Sequence, residues 1–526
     1  MKKITYLVIS ILIFSGCTSI KQHNEHRNDL ISVTDLKNDV DFIYNRLQKM
    51  HPKLYWYVSK KQLDFKFDSL KNTIVTPIKS YDFYQKLAPV IKTIGQGHMS
   101  VIPYSKKFSK TEIKQKTKNG IAPFSQFDFE QLNDKIYVVK NKSYNKTIQV
   151  GSELQSINQQ PLSKLLAKYK TFLASDGYNS TFIDRRLGKN FGSFYNSEFG
   201  LQDSITFTFK KNDTIKNIFI KRRLTDTIKV DKNKKIKKTA ISKSKAKAIK
   251  KRNSIFGFNK ERKLYNRNLH FLEKDSAVAV MKINGFQIGD YDKFYKISFE
   301  RIKNLKCETL IIDLRDNGGG RLNEIAHLYS YLAIEPYIFA DKSEVVSKTS
   351  VLSNMNYFTG NPFYVQPLLI AAAPIVYPLY YFKTHKTADG NYYLSSMHEK
   401  LKDPNKNNFT GIIYVLINGG SFSASSLLSS NLKGSKRAIF VGEETGGGYN
   451  GTVAGQMPVV KLPSSKIGVR VGLIACIPYY KTEVFGHGIY PDKEITPTLQ
   501  DRIDGIDPEM KWILEDCKKL DVSKNN

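Results

Sequence analysis

Val415-Leu416-Ile417-Asn418-Gly419-Gly420-Ser421-Phe422-Ser423-Ala424-Ser425-Ser426 runs from branched apolar residues through glycines into a string of small ones. The first three read as the end of a buried strand, and the Ala/Ser string reads as a helix start. A hydroxyl at that junction lies where unpaired backbone N–H groups and the helix dipole stabilise negative charge. A serine-rich helix cap would have the same composition, so this stretch yields a strand–turn–helix and leaves its chemistry open.

Leu310-Ile311-Ile312-Asp313-Leu314-Arg315-Asp316-Asn317-Gly318-Gly319-Gly320 is a second buried strand, ending in a charged turn and three glycines. Glycines there let backbone N–H groups face an anion without side-chain obstruction. Asp313 and Arg315 read as residues that hold the turn. A phosphate loop is disfavoured, because the Lys-Ser/Thr it needs is missing.

Working outward, residues 264–498 alternate strands (277–283, 309–314, 412–417, 438–441) with helices (291–302, 322–332, 423–432), the pattern of an α/β core. Residues 350–410 read as a long irregular excursion, a lid or substrate-facing insertion. Its most apolar part, 368–382, is too short to span a membrane and is broken by Pro374 and Pro378. Upstream, residues 32–87 carry helical periodicity, with Leu36, Val40, Ile43 and Leu47 on one face. Residues 121–221 change to short strands, among them Lys135-Ile136-Tyr137-Val138-Val139.

The two glycine phrases, in this order behind Gly95-Gln96-Gly97-His98, resemble the tail-specific protease and tricorn-core family of serine peptidases. The resemblance covers residues 34–515 apart from a basic tract and the excursion. It implies an α/β multidomain chain with an N-terminal helical cap, a PDZ-like β module and an α/β peptidase core of crotonase/ClpP-like type. The corresponding division is 1–17 signal peptide, 18–105 tether and cap, 106–225 PDZ-like module, 226–262 Lys-rich linker or insertion, and 263–515 core. A PDZ-like module would bind an extended peptide at a sheet edge.

The family pattern makes Ser423 the nucleophile, and the N–H groups of Gly319 or Gly320 and of Ala424 the oxyanion donors. Its lysine-dependent branch has its base in the turn after the nucleophile helix, where Gly448 stands here, so a Ser–Lys dyad is disfavoured. Its histidine-dependent branch uses a G-x-x-H phrase, which assigns His98 as base; imidazole titrates near neutrality and can take the serine proton. That branch also places a glutamate before the phrase Gly488-Ile489-Tyr490-Pro491-Asp492, but the equivalent position is Phe485. Glu483, two residues earlier and so on the same face of an extended segment, is the candidate third member. His487 is an alternative base. Peptide or protein substrates are expected, with no cofactor and no metal. The rival reading is a non-catalytic lipoprotein that grips peptides or an apolar ligand on the same fold.

Lys2, Lys3, the apolar run 4–14 and Phe14-Ser15-Gly16-Cys17 resemble a bacterial lipoprotein signal, with Cys17 lipidated. The expectation is a chain anchored to a bacterial membrane and facing the periplasm or exterior. The 526 residues, 41% hydrophobic and 12% aromatic, suffice for two to four domains and exclude wholesale disorder. The formal charge of +34 is concentrated, since half of residues 229–252 are Lys or Arg. That tract reads as a solvated linker rather than a nucleic-acid site, with attraction to anionic headgroups or cell-wall polymers as its functional alternative. Cys307, Cys476 and Cys517 lack metal-ligand spacing and leave room for one disulfide.

Overall fold

The structure, a computed structural model, describes residues 19–224, 242–261, 263–272, 277–287, 289–352 and 365–524. Cys17 and residues 225–241 of the basic tract lie outside the described residues.

After a short helix at Ile20–Glu25 come three longer ones, each with apolar residues recurring every three or four positions. α1 (Val33–Met50) buries Leu36, Val40, Ile43 and Leu47, and Ser32 caps it by accepting from the Asp35 amide. α2 (Lys60–Asn72) begins in a capping box of Ser59 and Gln62. α3 (Ser80–Lys92) buries Phe83, Leu87 and Ile91. The turn after it carries His98 into β1 (Ser100–Ile102).

β2 (Phe127–Leu132), β3 (Lys135–Asn141), β4 (Glu153–Ile157), β5 (Ser204–Lys211) and β6 (Thr214–Lys221) then pair antiparallel in that order. Between β4 and β5 come α4 (Leu162–Lys170) and α5 (Thr181–Phe199), which bury apolar faces against this sheet and the first helices in one core.

The described part of the basic tract is helical and mostly exposed. Residues 243–256 form α6 (Lys243–Phe256), capped by Ser242 and closed by Gly257 at φ 65°. Lys and Ala favour helix, and the terminal Ile255 and Phe256 pack onto the following core, which gives the helix an apolar foothold.

That core comprises β7 (Arg267–Phe271), β8 (Val278–Ile283), α7 (Tyr291–Asn304), β9 (Thr309–Asp313) and α8 (Leu322–Leu332). The excursion comes next and is more regular than the sequence implies. It holds α9 (Gln366–Lys383) and two short strands, Thr384–Lys386 and Tyr392–Leu394, which form one antiparallel sheet with Ser343–Val345 just ahead of it. Pro374 and Pro378 stand inside α9 four residues apart, so both lost N–H bonds fall on one exposed stripe and the helix survives.

The chain returns through β10 (Ile412–Ile417), α10 (Ala424–Gly434), β11 (Ile439–Gly442), β12 (Val459–Lys461), β13 (Gly468–Arg470), β14 (Lys493–Glu494) and α11 (Pro508–Lys524). The main sheet runs β7-β8-β9-β10-β11-β14, parallel from β8 onward with β7 antiparallel at the edge. Alternate residues divide between its faces. Met281, Ile312 and Val415 pack in the cluster that includes α7, α8 and α10, whereas Val280, Ile311 and Leu416 pack with Ile513 and Cys517 of α11. This two-sided burial explains the unbroken apolar runs of β9 and β10. β13 also pairs with β1, which ties the His98 segment to the core half of the chain. Among the described residues Cys307, Cys476 and Cys517 form no disulfide.

Candidate active site

β9 and β10 are neighbours in the sheet and end side by side, so their two glycine loops meet. Three residues zip them together. Asn418 Oδ1 accepts from the amides of Asp316 and Gly420 at 2.9 Å each. Asn317 donates to the Ile283 carbonyl at 2.8 Å, and its own backbone carbonyl accepts from the Phe422 amide at 3.0 Å. Ser421 donates to the Leu314 carbonyl at 2.8 Å. Asp313 and Arg315 hold the turn as read from the sequence: Arg315 pairs with Asp313 and, bidentately, with Asp507 of the segment leading into α11.

Ser423 is the residue before α10 and has φ 59° and ψ −120°, outside the regions a serine normally occupies. Such a conformation costs on the order of 1–3 kcal/mol and survives only where the surroundings enforce it. Here Phe422 is held by Asn317, and α10 is buried behind it. Of the three nearby serines, Ser421 is spent on Leu314 and Ser425 is fully buried. Ser423 Oγ meets His98 Nε2 at 2.9 Å.

The imidazole lies against the Phe422 ring, 4.8 Å between centroids, and Phe422 stacks on Phe182 of α5 at 4.1 Å. Burial, followed by the charges of Arg470 and Arg186, lowers the His98 pKa to about 4. Among the described residues neither arginine has a carboxylate partner; Arg470 reaches only the Met457 sulfur, at 3.1 Å. Arg185, by contrast, is clamped by Asp316 and Glu130. The imidazole is thus kept neutral by its surroundings, the form that accepts a proton.

The oxyanion candidates separate. Gly319 cannot serve as expected, because its N–H already donates to Asn317 Oδ1 at 2.9 Å. What its position requires is the absence of a side chain. At φ 91°, a Cβ there would lie 2.7 Å from the Ala424 nitrogen and 2.8 Å from Ser423 Cβ. Gly320 and Ala424 have N–H groups with no hydrogen-bond partner among the described residues.

Glu483 does not complete the constellation. It is exposed and makes no hydrogen bond or ion pair among the described residues, while Phe485 packs on the Tyr57 and Tyr178 rings. The two-residue shift keeps a strand face only within a strand, and this segment is an irregular turn. His487 is also elsewhere, between Glu444 at 3.3 Å and Tyr490 at 2.8 Å.

The carboxylate beside the site is one that the motifs did not flag, Asp176. It is wholly buried and accepts from the Gly97 amide at 2.8 Å, the Thr452 hydroxyl at 3.1 Å and the Gly448 amide at 3.3 Å. Burial raises its pKa to about 6 against the opposing pull of those bonds. It therefore links the residue before His98 to the glycine turn. Gly448 has no room for a long side chain without displacement, since a Cβ there would stand 3.0 Å from the Gly451 carbonyl and 3.3 Å from Asp176 Cβ. Ser175-Asp176-Gly177 carries an acidic residue in a turn between two helices, a signal too common to single out.

A half-buried strand-to-helix serine in an enforced backbone conformation, facing a neutral imidazole, is the constellation of a serine-type peptidase core. Residues 277–495 match the family model described as Peptidase family S41. A curated relative, the Tail-specific protease of Haemophilus influenzae, is 28% identical over 176 residues, covering 34% of this chain and 18% of that protein. The aligned part is thus under a fifth of the relative's length. Among solved structures, mature CPAF aligns over 90% of this chain and 95% of its own, with TM-score 0.56 and 16% identity. Mature CPAF complexed with lactacystin aligns over 94% and 99%, with TM-score 0.58 and 16% identity. At that identity the likeness concerns the mixed α/β fold.

Proposed function

We propose that the chain hydrolyses peptide bonds through an acyl-enzyme, with Ser423 as nucleophile and His98 as base. The approach of His98 Nε2 to Ser423 Oγ at 2.9 Å carries this reading. With Nδ1 protonated, Nε2 accepts the Ser423 proton as Oγ bonds to the substrate carbonyl carbon. The carbonyl electron pair moves onto oxygen, where the Gly320 and Ala424 N–H groups donate to it. On collapse the C–N bond breaks and His98 returns the proton to the leaving amine. Water then adds by the same route and frees Ser423. Asp176 is a positioning residue that fixes the loop bearing His98 through the Gly97 amide.

The family match and the S41-type core support a polypeptide substrate. The antiparallel sheet of β2 to β6 with α4 and α5 is the proposed PDZ-like module, offering a sheet edge to an extended segment. The lipobox-like Phe14-Ser15-Gly16-Cys17 supports export and an anchor on Cys17, which acylation of wild type and its loss in Cys17→Ser would test.

An active-site-directed fluorophosphonate tests the chemistry. Wild type should label at Ser423, Ser423→Ala not at all, and His98→Ala at a rate lower by on the order of 10³-fold. Failure of wild type to label, with peptide binding retained, would favour the non-catalytic lipoprotein. Undiminished labelling of His98→Ala would remove His98 from the mechanism.

A further inference from the structure

No charged residue stands between Lys348 and Lys383 in the sequence, and α9 occupies the end of that interval. A helix apolar on every side belongs in a protein core or a lipid environment. None of the residues of α9 is buried. Leu369, Ala372, Ala373, Val376 and Tyr380 form one stripe and are half-buried. The stripe beside it is Leu368, Ile375, Leu379 and Phe382, at 70%, 74%, 49% and 80% exposure. Ile370 and Tyr381 extend the bare surface on one flank. Monomeric proteins seldom leave an apolar patch of this extent in water.

The rim of the patch indicates what covers it. Lys383 and Lys386 are exposed at the C-terminal end of α9, and Lys348 Nζ lies 4.0 Å from the Tyr381 ring centroid. Tyrosines beside lysines over an apolar stripe suit the boundary between headgroups and acyl chains. A second copy is the poorer occupant, since each chain carries a net charge of +34 and two would repel. The same charge attracts an anionic lipid surface. Among the described residues no helix is long and apolar enough to cross a membrane, so the fitting mode is lying in the interface.

We propose that α9 docks the protein on anionic bilayers, with Leu368, Ile375, Leu379 and Phe382 entering the acyl boundary and Lys348, Lys383 and Lys386 meeting the headgroups. This contact is separate from any anchor at Cys17 and independent of the peptidase reading.

The test uses the full-length chain with Phe382→Trp, on phosphatidylcholine vesicles with and without a minority of phosphatidylglycerol. The expected result on the anionic vesicles is an emission blue shift of ~10 nm and quenching by brominated acyl chains, beyond the wild-type background of Trp56 and Trp512. This readout reports α9 even where the N-terminus also binds. Adding Leu368→Asp and Ile375→Asp should abolish the shift, with fluorophosphonate labelling and melting temperature as the check on folding. A vesicle-bound Phe382→Trp chain whose introduced indole keeps its aqueous emission would overturn the proposal. So would absence of binding, an equal shift on neutral vesicles, or bare stripes that prove covered in a dimer.

Discussion

α10 and α9 are opposite in composition and opposite in burial. α10 begins beside Ser423, and every residue from Ala424 to Leu432 is buried, Ser425, Ser426, Ser429, Ser430 and Asn431 among them. Ser430 and Asn431 find partners inside, Ser430 donating to the Tyr449 carbonyl at 2.8 Å and Asn431 to the Phe339 carbonyl at 2.7 Å, whereas the Ser425 and Ser429 hydroxyls have none among the described residues. α9 consists of apolar residues save its ends and buries none. Hydropathy ranks the two the wrong way round. Burial follows from topology instead: α10 connects two adjacent parallel strands and must lie on the sheet, whereas α9 belongs to an excursion outside it.

If α10 is buried in order to hold Ser423 against His98, the largest effects should come from that pair. Ser423→Ala and His98→Ala should each lower kcat by on the order of 10⁴-fold, and the double variant little further, because the two act as one unit. Additive losses would show that they act independently.

The helices themselves should separate next. Leu428→Ala, at a wholly buried α10 position, should cost about 2–5 kcal/mol in denaturant unfolding. A cost near zero would mean that α10 is not the packed platform described. Asp176→Asn retains one acceptor oxygen where two served three donors, so it should lower kcat roughly tenfold with KM nearly unchanged. Loss of KM alone would place Asp176 in substrate binding.

The burial that disciplines the site also sets its pH range. His98 must be neutral to accept a proton, and its pKa is lowered to about 4. Activity should therefore persist through pH 6 and fall only toward pH 4, below the ~6.5 of free imidazole. Stability has the same sign at the histidines. His98, and His51 lowered by burial to about 3, bind protons less readily folded than unfolded. Their contribution is complete above the unfolded value and is lost as pH falls toward the folded ones. Asp176, raised to about 6, opposes this, since its protonation favours the folded state as pH drops below that value. A kcat profile with a midpoint near ~6.5 would show His98 to be solvated. The smallest effect is expected on α9: Leu368→Asp in the vesicle-free protein should change stability by no more than ~0.5 kcal/mol.

The strands and helices around the two glycine phrases were legible because a strand buried on both faces must be apolar without interruption, as in β9 and β10. The pairing of Ser423 with a histidine 325 residues away was legible only through the resemblance of Gly95-Gln96-Gly97-His98 to a family phrase. The excursion misled because two prolines argue against helix locally, while the face on which their lost bonds fall is a tertiary matter. The helix within the basic tract was not legible because charge density hides the short apolar foot, Ile255 and Phe256, that docks α6.

The sequence by itself therefore determined the parallel core, the glycine turns and the serine at a helix start, since each is local and rests on residue type and period. Tertiary structure alone decided what those groups meet. It occupied the Gly319 N–H with Asn317, left Gly320 and Ala424 open, and exposed Glu483 on a turn. It also put Asp176 beneath the His98 loop. Hydrogen-bond partners and burial depend on segments brought together from distant parts of the chain, and no periodicity within one segment encodes them.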